Sequence, residues 1–255
     1  MPKLVVFSGA GLSAPSGVAT FRDSNGLWAN YDPMEVCNFQ NWESNFTLVH
    51  KFYSARREEL KKVSPNAMHQ YLANLPQTLQ HFLQNRDFYN RESVEVLYLT
   101  QNVDDLLERA GAKDVVHLHG ELTKLICPSC GSVTIIGYEP YNPTPCTQCG
   151  YDKIKPKIVF FYEQAPMYAQ MYQVFTSLGE NDCVLVIGTS GNVIDICSLL
   201  VLNPRIGKKI LNNLTPSPSI DERVFDEVIY DDATNVIGRI DTLLKDFFAS
   251  TNKAS

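Results

Sequence analysis

The chain predicts an α/β fold: a doubly wound parallel, Rossmann-like sheet with a small zinc-ribbon and a helical insertion module. Three observations lead there. Apolar strand-like runs recur between helical patterns, a glycine turn follows the first run, and two CxxC pairs stand in a segment without periodicity. At 255 residues the chain can bury one large core with a smaller insertion.

Runs suited to buried parallel strands lie at residues 3–7, 94–99, 158–161, 183–187, 208–211 and 227–230. After the first, Gly9-Ala10-Gly11-Leu12-Ser13-Ala14 fits G-x-G-x-x-G/A, whose glycines let backbone approach a pyrophosphate while a helix start offers N–H groups. An ordinary dinucleotide fold continues into a long helix. Here Pro15, Gly17 and Ser24-Asn25-Gly26 interrupt it. The resulting loop carries Thr20, Phe21 and Arg22 beside the expected phosphates, an aromatic and a guanidinium that suggest more than passive binding; a surface salt bridge is the competing role for Arg22.

Residues 31–62 read as a mostly helical insertion. Ser64 as N-cap and Pro65 at N1 start a helix that continues through Met68, Tyr71, Leu72 and Leu75. The next run, Val94 to Thr100, delivers Gln101, Asn102 and Asp104 at its carboxyl end, and a helix from Asp104 to Ala110 stops at Gly111. Asp114-Val115-Val116 delivers His119 in the same way. Ligands of open α/β sheets bind at the carboxyl ends of strands, so these groups converge on one crevice. His119 is the first candidate for a general base, because histidine changes charge near neutral pH.

Residues 124–156 hold four cysteines and five prolines. Cys127-Pro-Ser-Cys130 and Cys146-Thr-Gln-Cys149, fifteen residues apart, have the spacing of a Cys₄ zinc ribbon. Four thiolates leave no open position, so the zinc is structural; a redox CxxC is the rival reading. A last helix runs from about Val236 to Phe248, with a disordered tail at 251–255. The expected organisation is a dinucleotide-binding, Rossmann-like domain of residues 1–30, 63–123 and 157–250. A small domain is made of 31–62 and 124–156.

A net charge of −6 and a pI near 5.4 argue against nucleic acid or anionic membrane as partner. No apolar stretch reaches the roughly 18 residues of a spanning helix. The first strand starts at once, leaving no room for a signal peptide, and seven cysteines cannot all pair. A cytoplasmic monomer is expected.

Taken in order, the glycine turn, Thr20-Phe21-Arg22, Gln101-Asn102-Val103-Asp104, His119-Gly120, the CxxC pairs, Gly188-Thr189-Ser190 and Asn213-Leu214 closely resemble the sirtuins, NAD-dependent protein-lysine deacylases. The resemblance covers residues 3 to 240. It implies that Gly9, Ala10, Gly11, Ser13, Thr20, Phe21 and Arg22 hold the pyrophosphate and ribose of NAD. Gln101, Asn102 and Asp104 would line the nicotinamide pocket; Gly188, Thr189, Ser190 and Asn213 would meet the adenosine half, with Ala233 near the adenine. By the same resemblance, the acyl oxygen of a modified lysine attacks the nicotinamide ribose and His119, with Asn102, carries the catalysis by activating a ribose hydroxyl. Products are free lysine, nicotinamide and O-acyl-ADP-ribose.

Within Leu48 to Arg56, positions 49, 52, 53 and 56 share one helical face. Tyr53-x-x-Arg56 resembles the signature of sirtuins that remove succinyl or malonyl groups, the Tyr and Arg binding the distal carboxylate. The competing role for Arg56 is a pair with an internal Asp or Glu. Cys37 stands where the family usually carries alanine, and Tyr162 replaces the glycine after the expected substrate-peptide strand, Val159-Phe160-Phe161. Gly188 to Val193 lacks the family's downstream proline. A plain deacetylase or a mono-ADP-ribosyltransferase is the nearest alternative. A zinc-containing dehydrogenase with Asp32 on the ribose, or a non-catalytic NAD-sensing module, competes from another class.

Overall fold

The computed structural model describes residues 1–18, 31–85 and 93–251. Thr20, Phe21 and Arg22 therefore lie outside the described residues. In chain order the strands are β1 (Lys3–Ser8), β2 (Glu95–Thr100), β3 (Val116–His117), β4 (Gly120–Ile126), β5 (Val133–Ile135), β6 (Lys155–Ile158), β7 (Cys183–Ile187), β8 (Lys208–Asn213) and β9 (Glu227–Tyr230). The helices are α1 (Pro33–Val36), α2 (Phe46–Lys62), α3 (Ala67–Gln84), α4 (Leu106–Arg109), α5 (Tyr168–Ser177), α6 (Ile196–Leu202) and α7 (Ile237–Thr251). None of the described helices is long and apolar enough to cross a membrane.

Among the described residues, six strands form one parallel sheet in the order β3-β2-β1-β7-β8-β9. Both faces are covered, which explains the unbroken apolar runs: Leu4, Val5, Val6 and Phe7 of β1 are at most 1% exposed. Leu72, Leu75 and Leu79 of α3 and Ile240 and Leu244 of α7 pack with Leu4 and Val6 on one face. On the other, Met171 and Phe175 of α5 and Leu199 of α6 pack with Val5 and Phe7. The chain leaves β1 toward β2 on one side and returns as β7 on the other. The strand order thus reverses at β1 and β7, where ligands of open sheets bind.

A second, three-stranded antiparallel sheet has the order β5-β4-β6. Here the reading of residues 158–161 as a parallel strand is corrected. Lys155–Ile158 pairs antiparallel with β4, Gly120 opposite Ile158. The run is apolar because Ile158 and Phe160 pack into a third cluster, with Val36, Trp42, Phe52, Tyr53 and Leu122. Gly120 makes the exit from the large sheet possible: its φ is 89°, and a Cβ there would lie 2.1 Å from the Lys157 carbonyl oxygen.

Other boundaries also shift. Helix α3 starts after Asn66 rather than at Ser64-Pro65, because the Asn66 carboxamide accepts from the Met68 and His69 N–H groups while His69 Nδ1 accepts from the Asn66 N–H. The helix expected from Asp104 to Ala110 contracts to Leu106–Arg109. Asp114 has a φ of 55°, so β3 begins only at Val116. Helix α7 reaches Thr251, and residues 252–255 lie outside the described residues.

Candidate active site

Two turns meet at the reversal point. Gly9 and Gly11 donate their N–H groups to the Ile187 and Gly188 carbonyls, at 2.9 and 2.8 Å. A Cβ on Gly11 would lie 2.7 Å from Gly188 Cα, and one on Gly188 2.4 Å from the Leu12 nitrogen. These glycines are required first by the contact of backbone on backbone. That contact leaves the Ala10 N–H, on an exposed residue, outside the turn's own bonds. Thr189 gathers the neighbouring strands. Its hydroxyl accepts from Gln101 Nε2 at 2.9 Å, and its carbonyl from Asn213 Nδ2 at 2.8 Å. Ser190 offers its carbonyl to the Ser217 hydroxyl. Ala233, beyond β9, is buried within the apolar core.

Behind the glycine turn lies a buried polar chain. Ser13 Oγ donates to Asp104 Oδ2 at 2.9 Å and accepts from Asn102 Nδ2 at 3.0 Å. His69 Nε2 approaches the same oxygen at 3.4 Å, and Leu106 N–H donates to Asp104 Oδ1 at 3.2 Å. Burial pushes the Asp104 carboxyl above its ordinary value, while the bonds from Leu106 and Ser13 pull it back. Burial also lowers His69 to about 4, so it donates as a neutral ring. His69 was missed from the sequence, although its place three residues after Asn66 is a capping signal.

His119 follows β3, half-buried, with its Nδ1–H donating to the Gln101 carbonyl at 3.1 Å. A carbonyl can only accept, so Nδ1 carries the proton and Nε2 keeps its lone pair. Burial holds the imidazole below the ordinary histidine value, against the raising pull of that carbonyl. The result is a neutral base at the carboxyl ends of β2 and β3. Tyr168, at the start of α5, reaches Nε2 with its hydroxyl at 3.0 Å. No local pattern announced this contact, which spans 49 positions.

His117, two residues earlier at the end of β3, has the opposite character. Its Nδ1 lies 2.8 Å from the Asn102 carbonyl and its Nε2 2.6 Å from Glu108 Oε1. Both partners are acceptors, so both nitrogens carry protons. Burial opposes the charge, but Glu108, the Asn102 carbonyl and Glu121 outweigh it and leave the pKa raised.

The expected acyl residues lie on α2. Tyr53 is 3% exposed and stacks on Phe160, ring centroids 5.7 Å apart at 17°. Burial raises its hydroxyl pKa, and Cys37 adds to the rise. Arg56 lines a small cavity with Gly17, Asp104 and Leu122. Burial lowers its pKa while Tyr53, Glu59 and Asp104 support the charge. The segment after β6, extended but with only an isolated bridge between Asn38 and Phe161, is held from two sides. Val159 N–H donates to the His119 carbonyl, Phe161 N–H to the Cys37 carbonyl and Phe39 N–H to the Phe161 carbonyl, at 2.9, 2.9 and 3.0 Å. Tyr162 adopts a φ of 65° and is 70% exposed.

The four module cysteines form a metal-ligand set, their Sγ atoms all within 4.8 Å. Cys127 Sγ lies 3.6 Å from Cys149 Sγ, and Cys130 Sγ 3.7 Å from Cys146 Sγ. A zinc tetrahedron with bonds of about 2.3 Å has sulfur–sulfur edges of about 3.8 Å, so the set fits zinc. Each pair sits in the same knuckle. Gly131 N–H bonds the Cys127 carbonyl and Gly150 N–H the Cys146 carbonyl, with φ of 75° and 77° at the two glycines. Asp32, by contrast, caps α1 by accepting from Met34 N–H, so the acid of the dehydrogenase reading is spent on a helix start.

The model of the Sir2 family matches residues 9–195. An NAD-dependent protein deacylase of Helicobacter hepaticus is 57% identical over 255 residues, covering 98% of this chain and 100% of the relative. One from Campylobacter jejuni is 39% identical over 252 residues, covering 99% and 100%. Among solved structures, a Sir2 homologue in complex with NAD superposes with a TM-score of 0.78 at 30% identity, covering 96% of this chain and 90% of that one.

Proposed function

Because the chain belongs to the Sir2 family, we propose that it is an NAD-dependent protein-lysine deacylase, with a preference for acidic acyl groups. The observation that supports this most is the setting of His119: a ring whose proton is held on Nδ1 by the Gln101 carbonyl, which leaves Nε2 as an acceptor, taken in the free protein by the Tyr168 hydroxyl at 3.0 Å. That is a base ready to take a proton from a hydroxyl.

Gly9, Ala10, Gly11 and Ser13 would hold the dinucleotide's pyrophosphate side, Gln101, Asn102 and Asp104 its amide end. Gly188, Thr189, Ser190, Asn213 and Ala233 would serve the adenosine half. The Ala10 N–H, without a partner among the described residues, and the mixed donors and acceptors of Asn102 and Asp104 suit phosphate and carboxamide. When bound, NAD supplies a ribose carbon from which nicotinamide departs. The chain's own work is positional. Ser13 fixes the Asn102 and Asp104 side chains, Gln101 fixes the His119 tautomer, and His119 Nε2 receives the hydroxyl proton. Val159, Phe160 and Phe161, whose own N–H groups are bonded to the His119 carbonyl, the Glu163 carboxylate and the Cys37 carbonyl, would line the approach of an acylated peptide. Tyr53 and Arg56 would meet the distal carboxylate of a succinyl or malonyl group. Zinc at Cys127, Cys130, Cys146 and Cys149 holds the small module. Residues 1–30, 63–123 and 157–250 form the NAD-binding domain in this account. Residues 31–62 and 124–156 form the small domain of a cytoplasmic monomer.

The test is incubation with NAD and matched acetyl-, succinyl- and malonyl-lysine peptides, read by mass. All three should yield free lysine and the corresponding O-acyl-ADP-ribose. Arg56→Met removes a charge-assisted bond of about 1.5–3 kcal/mol, so desuccinylation falls at least tenfold more than deacetylation. Equal losses overturn the acidic-acyl preference; no product from any peptide overturns the deacylase reading.

A further inference from the structure

The Nε2 of a neutral imidazole has one in-plane lone pair, and Tyr168 occupies it. The phenol donates to Nε2 at 3.0 Å, and among the described residues it makes no other hydrogen bond. The two rings are tilted at 50° with centroids 6.1 Å apart, so the contact is made by the hydroxyl and not by stacking. The Tyr168 ring packs against the cluster of Leu118, Met171 and Phe175 at the start of α5, and is half-buried. A hydroxyl that is to lose its proton to His119 must donate to the same lone pair.

We propose that Tyr168 is a positioning residue: in the free protein it holds the Nε2 lone pair of His119 and keeps the ring in place, and it yields that lone pair to the substrate hydroxyl. The inference rests on the reading of His119 as the general base. A relay through the phenol is the rival arrangement. It requires the phenol oxygen to take the substrate proton while passing its own to His119, yet among the described residues the phenol has no second partner to orient it. Burial also raises its pKa above the ordinary tyrosine value, with Tyr172 adding to the rise, which opposes any phenolate character.

The test compares wild type with Tyr168→Phe, which keeps the ring and removes only the hydroxyl. A bond donated to the neutral ring disfavours its protonation. In protein without NAD, the NMR titration midpoint of His119 should therefore rise by about 0.4–1 pH unit in the variant. With an acetyl-lysine peptide, the KM for NAD should fall about two- to tenfold, since the incoming hydroxyl displaces nothing, while kcat stays within about twofold. An unchanged midpoint overturns the proposal, as does a tenfold loss of kcat at constant KM, which would put the phenol in the proton path. His119→Ala measured alongside separates the two ideas. Full turnover in that variant defeats the base reading, whereas the titration midpoint in free Tyr168→Phe reports the contact alone.

Discussion

Replacing Ser13 by alanine attacks the buried chain at its junction. Ser13 Oγ donates to Asp104 and accepts from Asn102, at 2.9 and 3.0 Å, and all three residues are at most 9% exposed. Losing the donor to the carboxylate costs about 1.5–3 kcal/mol, and losing the acceptor for the Asn102 amide about 0.5–1.5 kcal/mol. Water cannot readily replace either bond. The combined loss of about 2–4.5 kcal/mol corresponds to roughly 30- to 2,000-fold in kcat/KM where both groups act on the cofactor. Asp104 is already held above its ordinary value by burial, so without Ser13 its carboxyl rises further and the acid limb of the rate profile moves toward neutral pH. Steady-state rates against NAD concentration at several pH values, with thermal melting as a check on folding, measure this. Retention of kcat/KM within threefold, with the acid limb unmoved, would refute the junction role.

Two further perturbations report on the module and on the strand end. Cys146→Ser should reduce bound zinc from one equivalent to well below it, measured by elemental analysis, and lower the melting temperature; unchanged zinc content would contradict the Cys₄ assignment. His117→Gln removes an imidazolium whose folded pKa is raised, so the stability it contributes is fully present below about pH 6.5 and is lost as pH rises through the folded value. The variant should melt lower at pH 5.5, by roughly 2–8 °C for about 1–2 kcal/mol, discounted because Glu108 is 38% exposed, and the gap should narrow at alkaline pH.

The legible parts were those written in local spacing. The cysteine pairs each carry their own glycine knuckle, so the sulfur cluster followed from the chain order. The parallel strands were visible as apolar runs because the sheet is covered on both faces. The same signal misled at residues 158–161, where Phe160 and Ile158 are apolar through burial against α2 and not through membership of the large sheet. Asn66 outcompeted Ser64-Pro65 because its carboxamide also donates to the Leu12 carbonyl at 2.8 Å, a tertiary bond that no helix-start rule contains. His119 and Asn102 were singled out as candidates by their places after strands. Tyr168 and the doubly bonded His117 were not, since their partners come from elements distant in the chain or from geometry that forces a protonation state. The helical face that Tyr53 shares with Val49, Phe52 and Arg56 is legible from spacing, and Tyr53 is buried there. Its stacking on Phe160 adds what helical periodicity cannot, namely which wall it meets.

The most direct measurement follows O-acyl-ADP-ribose formation from NAD and an acetyl-lysine peptide by wild type and by His119→Ala, with the melting temperature held equal. A positioned general base contributes about 10²–10⁴-fold, so the variant should form product at least a hundredfold more slowly while still binding NAD. Product formation within tenfold of wild type would contradict the assignment of the imidazole at the end of β3 as the base.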